Sequence, residues 1–582
     1  MVQEDGFGEL ELQFSRWAQA RYADRASNGD RLLRLAAASL VYFARRGHLC
    51  ADLSRIAGTP VPSGLVPSVF SEYPPLPAWE SFFGHPSVSD GSGTGDLFVR
   101  EPGSPRLYLE RLWRMETRVG QALAERWEED GRTIPPPVVE RSSGLFGPES
   151  VTPALSMAVQ RALNSRLLVL TGGPGTGKTS ATVRLLLLFF HAGILLPGRI
   201  RLSAPTGKAA QRLGESLAHF HESSSFLSAE EKAFLEAIPQ PTTVHRMIGF
   251  NPRTGHSEHD AENPLKADLV VVDEMSMMEL PLFDRLLSGT PAGAKMILVG
   301  DPGQLSSVGP GSVLDDLVLA GKTGSGPVVR LERSWRFPED SGIGRFARMV
   351  GNGESRVLEK ALWEQGMPGV EWVDLGEGAP PILFFDRVLD EYEPYRLSGN
   401  AEAAFEALSV FRVLAVHREG ERGVAGLSRR LERYWSHRTG VLARKDGPLG
   451  RPILILENDG GLDLANGDIG IVPLPGWGDP EYALFRSGSG TVRRIPLSLL
   501  PAHGPAFCMT VHKSQGSEYD TVFLILPHEL SPVLTRELLY TAVTRARRRV
   551  VLFGNRGVFL SAIERRTVRF SGLSGRVVPS RP

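Results

Sequence analysis

Cysteine is almost missing from this chain: its 582 residues hold two, Cys50 and Cys508. The pair matches no zinc-ligand spacing and offers no disulfide framework, so both are expected to be reduced thiols of a cytoplasmic protein. A surplus of one charge is missing as well. Lys and Arg number 65 against 66 Asp and Glu, so no whole-protein field draws in a polyanion, and any site for one must be local. Nor is there a long hydrophobic run. The most apolar stretch, Leu185 to Leu196, is interrupted by His191, Ala192 and Gly193 and is too short to span a bilayer. The opening residues, MVQEDGFGELELQF, are acidic and amphipathic, which argues against a signal peptide. A soluble, cytoplasmic protein with no membrane partner is expected, and the length allows about four domains.

What the chain does have is concentrated in Leu167 to Leu188, LLVLTGGPGTGKTSATVRLLLL. A short apolar run of strand length is followed by a Gly-rich turn and a second apolar run that reads as a helix packed on a sheet. The turn, Gly172-Gly173-Pro174-Gly175-Thr176-Gly177-Lys178-Thr179, fits G-x-x-x-x-G-K-[ST] between a strand and a helix. Its glycines let backbone N–H groups curl around phosphates, and the helix N-terminus adds a favourable dipole. Lys178 is placed to reach the β- and γ-phosphates and the Thr179 hydroxyl to ligate Mg²⁺. The pattern predicts binding of a nucleoside triphosphate, ATP in the first instance, with Mg²⁺.

Taken in order, residues 1–130 are mostly helical in pattern, with Thr59 to Asp96 looping over a surface. No catalytic constellation stands out there, and His48 and Cys50 read as packing residues. Residues 131–153 carry a Pro-Pro-Pro run and several glycines, as a linker does. From the P-loop onward strand and helix patterns alternate, as a parallel α/β sheet requires. Leu269 to Met277, LVVVDEMSM, is an apolar strand ending in Asp273 and Glu274, two carboxylates that are costly there unless they hold a metal and a water. Lys295 to Gly311 repeats the theme with a polar loop. Gly249 to Leu265 reads as a protruding hairpin or as a plain solvent loop. After a second alternating region from Val410, short β-like runs between Arg451 and Leu500 predict a small all-β insertion. The α/β pattern then resumes to about Gly554, with a short basic tail at 556–582.

A P-loop alone leaves the activity open. Read in order, however, APTGKAAQRL, TVHRMIG, VVDEMSM, GDPGQLSSVGPG, SWRF, TVHKSQGSE and YTAVTRAR resemble the motif series of superfamily 1 helicases, subgroup B, over roughly residues 150–555. GHLCADLSRI, LYLERLWRMETRVG, HREGERGVAGL and GRPILILENDGGLDLANGDIGIV make the chain similar, within that group, to the RecD family, the alpha subunits of exodeoxyribonuclease V in RecBCD complexes. The resemblance implies an α/β fold: two RecA-like P-loop motor domains, with a helical N-terminal partner-docking domain and a small Src-homology-3-like β-barrel insertion. The divisions are 1–130, the linker 131–153, motor domain 1 over 154–345 with a 1B hairpin at 249–265, and motor domain 2 over 346–555 with the barrel near 440–505.

Carried over by resemblance, Asp273 holds Mg²⁺ and Glu274 positions and deprotonates the attacking water. Gln304 senses the γ-phosphate and relays its state to DNA. Arg336 and Arg545 are the two arginines brought to the γ-phosphate by the second motor domain, and Glu518 is the carboxylate facing the ribose. Pro205, Thr206 and Gly207, then Thr243, His245 and Arg246, then Thr510, His512 and Ser514 are expected to line the DNA path, bonding phosphates without reading sequence. One departure concerns the base. Family members carry a Gln upstream of the P-loop in a pattern like Q-x-x-A-V, whereas this chain has Leu155-Ser156-Met157-Ala158-Val159, with Gln160 nearby on a different helix face. The implied function is an ATP-dependent 5′ to 3′ DNA helicase or translocase subunit. It would act on single-stranded DNA and duplex ends in break repair and recombination, as a heterotrimer with RecB-like and RecC-like subunits. No clustered carboxylates suggest a nuclease, so cleavage falls to a partner. Two alternatives stand beside it: a free-standing RecD-like helicase, and an ATP-gated regulatory subunit whose unwinding is dispensable.

Overall fold

The runs LLVL, LVVV and MILV lack alternation because both faces of their sheet are covered. Leu167–Gly172, Leu269–Val272 and Lys295–Gly300 are buried at every position. They form the middle of a six-stranded, fully parallel sheet in the order Val328–Leu331, Leu167–Gly172, Lys295–Gly300, Leu269–Val272, Ile200–Ala204, Thr242–Thr243. The helices Pro153–Asn164, Lys178–His191 and Gly207–Ser223 contribute to the core on one face, and Leu280–Gly289 with Val313–Gly321 to that on the other. Truncating a fully buried side chain such as Leu187 to Ala costs about 2–5 kcal/mol. The computed structural model describes the chain except residues 1–5, 23–27, 65–69, 93–95, 128–140, 142–144, 146–151, 323–325, 338–340, 441–448, 487–490 and 579–582. Most of the expected linker therefore lies outside the described residues. Of its described members, Arg141 binds Glu231 (Nη2 to Oε2, 2.6 Å) and Leu145 is buried in the first core.

A second parallel sheet runs Val370–Asp374, Ala546–Gly554, Tyr519–Ile525, Phe411–Ala415, Cys508–Thr510. Inserted before Cys508 is a five-stranded antiparallel sheet in the order Val492–Pro496, Tyr482–Arg486, Ile469–Ile471, Pro452–Ile455, His503–Pro505. It has its own small core of Ile453, Ile455, Leu464, Val472, Ala483, Phe485 and Ile495.

Three expectations change. The N-terminal region is not helical throughout: Cys50–Asp52, Arg106–Leu109, Phe98–Arg100 and Val88–Ser89 form a four-stranded sheet beside the helices Glu9–Tyr22, Asn28–Arg45 and Glu110–Trp127. Strands of two to four residues are too short for alternation to show. Residues 249–265 form no strand. The loop is closed by Glu258 N–H to Gly249 O (3.2 Å) and His259 N–H to Ile248 O (3.1 Å), and Arg285 ties it down through Gly255 O (2.6 Å).

The basic segment after 555 is no tail. Helices Arg556–Glu564 and Leu573–Arg576 bring it back across both neighbouring domains. Arg569 donates to the carbonyls of Gly309 (2.9 Å) and Gly311 (2.7 Å). Phe570 N–H donates to His48 Nδ1 (3.0 Å), and Arg576 binds Glu101 (2.6 Å) and the fully buried Glu116 (3.1 Å). Its guanidiniums are consumed by buried acceptors, which composition alone does not reveal. His48 is a packing residue, 4.6 Å from the Phe570 ring. Burial, with help from Arg569 and Arg46, pushes its pKa down to about 4.

Candidate nucleotide and nucleic-acid site

The P-loop leaves the centre of the first sheet at Gly172. Gly175 and Gly177 take left-handed backbone angles (φ 72° and 81°), and a Cβ on Gly175 would lie 2.3 Å from the Cβ of Arg336. The segment joining the two sheets is thus pressed against the loop. Trp335 N–H donates to Gly175 O (2.8 Å) and Ser334 Oγ to Pro174 O (3.2 Å). Lys178 Nζ sits inside the curve, donating to the carbonyls of Gly172 (2.7 Å) and Gly173 (3.0 Å), so its charge is already aimed where phosphate oxygens would lie.

Beyond the adjacent strand Leu269–Val272, Glu274 N–H donates to Asp273 Oδ1 (2.8 Å). Glu274 itself is held at φ 52°, ψ 43°, a conformation that costs a side-chain-bearing residue on the order of 1–3 kcal/mol and that persists where surroundings impose it. Burial raises the Asp273 pKa and the Glu274 charge raises it further, against the opposing pull of Lys178.

A cleft of about 410 Å³ gathers these groups. It is lined by Pro174 to Ser180, Asp273, Glu274 and Gln304, and across from them by Trp335, Arg336, Glu518 and Arg545. Lys178, Glu274, Gln304, Arg336 and Arg545, scattered over more than 360 residues, therefore face one space. Arg336 comes from the segment between the sheets rather than from the second sheet. Arg545 is buried, anchored on Thr541 O and Ser517 O (both 3.1 Å).

Glu518 lines the same cleft, and its carboxylate is paired with Arg336 (2.5 Å) and Arg547 (3.3 Å). Burial would raise its pKa, but the guanidiniums of Arg336, Arg212, Arg545 and Arg547 outweigh that and hold it low. Arg212 and Trp335 also line the cleft and were not singled out from the sequence. Both lie inside recognised motifs, APTGKAAQRL and SWRF.

Gln304 joins the two halves. Its Nε2 donates to Asp301 Oδ2 (3.2 Å), which also accepts from Tyr540 OH (3.2 Å). Leu305 N–H donates to Thr541 Oγ1 (2.9 Å), and Gln515 Nε2 to Leu305 O (3.2 Å). Gln304 Oε1 is buried with no hydrogen-bond partner. On the other side of the P-loop, a cavity of about 320 Å³ is bounded by Thr152, Leu155, Thr176, Arg184, Glu332 and Trp335. Leu155 points an apolar side chain at it, and Gln160 is exposed elsewhere.

The expected DNA residues sit at sheet edges. Pro205 to Gly207 follow Ile200–Ala204, whose partner Thr242–Thr243 is one edge strand. Thr510 ends Cys508–Thr510, the edge of the second sheet. Thr206, Thr243 and Thr510 each accept a backbone N–H through Oγ1 (3.3, 3.2 and 3.3 Å), which leaves the hydroxyl proton for an acceptor. His245 and Arg246 are exposed, and burial lowers the His512 pKa, leaving a neutral imidazole. Ser514 is a correction. It is fully buried and its hydroxyl donates to Val511 O (2.7 Å), so it shapes the loop and has no face toward DNA.

Two parallel sheets with a P-loop, a carboxylate pair and two arginines around one cleft define a P-loop NTPase motor. Residues 156–310 match the AAA domain family and residues 505–553 the UvrD-like helicase C-terminal domain. The RecBCD enzyme subunit RecD of Mycolicibacterium smegmatis is 35% identical over 575 residues, covering 95% of this chain and 95% of that protein. That of Haemophilus influenzae is 31% identical over 522 residues, covering 80% and 79%. The ATP-dependent RecD2 DNA helicase of Deinococcus radiodurans is 28% identical over 494 residues, covering 83% of this chain and 60% of that protein. The chain belongs to the RecD family and is a helicase-type ATPase.

Proposed function

We propose that the chain is the ATP-driven helicase subunit of a RecBCD-type complex, moving along single-stranded DNA from a duplex end in the 5′ to 3′ direction. The observation that carries this is the single cleft joining Lys178, Glu274 and Gln304 on one side to Arg336 and Arg545 on the other. In it Lys178 and the P-loop N–H groups hold the triphosphate. Glu274 takes the proton of the attacking water as the new P–O bond forms and the bond to the β-phosphate oxygen breaks, giving ADP and inorganic phosphate. Arg336 and Arg545 meet the charge that spreads over the γ-phosphoryl oxygens, and do so fully only when the halves close.

The donor set fits Mg²⁺. Thr179 and Asp273 both line the space behind the P-loop and supply one hydroxyl and one carboxylate, leaving the remaining positions to water and phosphate oxygens. A divalent cation there would offset the burial and the Glu274 charge that together keep the Asp273 pKa raised.

Thr206, Thr243, His245, Arg246, Thr510 and His512 would contact DNA phosphates along the two sheet edges. The antiparallel sheet of 452–505 would serve as the Src-homology-3-like element, since its Ala465 lies beside Gly207 (3.5 Å to a Cβ built there). Identity favours a RecD subunit over a free-standing helicase: 35% to the Mycolicibacterium relative against 28% to the RecD2 helicase. The test is ATP hydrolysis by purified protein with and without single-stranded DNA, alone and with RecB-like and RecC-like partners. Strong DNA stimulation that vanishes in Lys178→Gln supports the reading. Equal activity of the variant in the assembled complex ends it.

A further inference from the structure

Arg545 follows directly on the helix Arg536–Val543, and a second side chain of that helix, Tyr540, crosses to the first motor domain. Its ring lies against three glycines. A Cβ built on Gly303 would stand 3.0 Å from Tyr540 Cε1, one on Gly351 3.2 Å from Cδ2, and one on Gly173 3.1 Å from the hydroxyl oxygen. Gly173 belongs to the P-loop and Gly303 to the loop after Lys295–Gly300, so Tyr540 abuts both nucleotide-facing loops of the other domain. Its hydroxyl donates to Asp301 Oδ2 (3.2 Å), the same oxygen that accepts from Gln304 Nε2 (3.2 Å). Asp301 Oδ1 takes the Gly303 N–H (2.9 Å), and the whole carboxylate is buried. Burial and the charge of Asp301 raise the Tyr540 pKa, so the hydroxyl stays protonated and donating. The Gln304 amide is only half committed, because its buried Oε1 has no hydrogen-bond partner.

Two donors on one carboxylate oxygen each draw off part of its negative charge, so each weakens the other's bond. Resting on the ATPase reading above, we propose that Tyr540 is a positioning residue for hydrolysis: by sharing Asp301 Oδ2 it loosens the hold of Asp301 on Gln304 and frees that amide to turn to the γ-phosphate. When the two halves part, Tyr540 leaves with its helix, Asp301 grips Gln304 fully, and the amide stays away from the phosphate. When they close, the hydroxyl returns and the amide is released. The neighbouring Thr541 ties this to Arg545. Its carbonyl accepts from Arg545 Nε (3.1 Å) while its Oγ1 accepts the Leu305 N–H (2.9 Å), so closure delivers the arginine and the freed glutamine together.

The test is single-turnover ATP hydrolysis by the full-length protein on single-stranded DNA, beside binding of a non-hydrolysable ATP analogue. Tyr540→Phe keeps the ring among the glycines and removes the hydroxyl alone. Its hydrolysis step should slow roughly tenfold, as for one lost hydrogen bond to a charged group, with analogue affinity unchanged. Gln304→Ala should slow the step further, and adding Tyr540→Phe to Gln304→Ala should slow it no more. A tyrosine that merely supports the fold would not give that non-additivity. If the unaltered protein shows no DNA-stimulated hydrolysis, the ATPase reading falls and takes this role with it. If it hydrolyses ATP, any of three results overturns the role of Tyr540 alone. They are Tyr540→Phe hydrolysing at the unaltered rate, weaker analogue binding in place of slower hydrolysis, or the same slowing by Tyr540→Phe with and without Gln304.

Discussion

Glu231 and Asp273 are both carboxylates sunk into the first motor domain, and their surroundings treat them in opposite ways. Glu231 accepts from Arg141 (2.6 Å), His191 (2.7 Å) and the Ser228 N–H (2.8 Å). Burial alone would raise its pKa, but those hydrogen bonds overcome burial and hold it at about 2. Asp273 accepts one backbone N–H and stands beside a second carboxylate, so burial and Glu274 keep its pKa above the usual range. A carboxylate whose acceptors are filled by the fold is scaffold. One left half-satisfied next to a strained neighbour is where a ligand does the completing.

Glu274→Gln should break the comparison most visibly: DNA-stimulated turnover falls by about 10³-fold, while thermal stability is kept or raised by removal of the like charge. Glu231→Gln should do the reverse. It uncouples Arg141 and His191 and costs about 3 kcal/mol in urea denaturation, with turnover per folded molecule unchanged.

A titration sharpens the contrast on the scaffold side. The folded-state pKa of His48 is depressed from 6.5 to about 4, so the unfolded chain binds more protons between those values and acidification favours unfolding there. Stability measured at pH 5 should be about 2 kcal/mol below that at pH 7.5, and His48→Phe should flatten the dependence. The smallest effect is expected on the base side of the P-loop. With Leu155 where a reading amide would stand, GTP should be hydrolysed nearly as fast as ATP, and Leu155→Gln should raise the preference for ATP about tenfold in a nucleotide panel.

The same contrast explains what the sequence made legible. Gly172 to Thr179, Asp273, Glu274 and Arg545 are read from short contiguous patterns because each motif carries its own strand, turn and helix. Arg212 lay inside one of those patterns and was passed over, because nothing local says that its side chain turns back toward Glu518. Ser514 was assigned to DNA by position in its motif, and only packing shows its hydroxyl spent on Val511. Arg569 and Arg576 read as part of a short basic tail because their partners, the 309–311 carbonyls and Glu101 with Glu116, lie more than 250 residues away. The N-terminal sheet is illegible for a different reason: strands of two to four residues, such as Cys50–Asp52 and Arg106–Leu109, are too short to show an alternating pattern.

The bond from Phe570 N–H to His48 spans 522 positions of chain. During synthesis, the N-terminal helices emerge from the ribosome long before the segment that seals them, and His48, Phe43 and Tyr108 wait with one side open. The order of manufacture is therefore the reverse of the order of completion. The first domain to appear is the last to close, and any interruption of translation before residue 576 leaves Glu116 without its guanidinium partner.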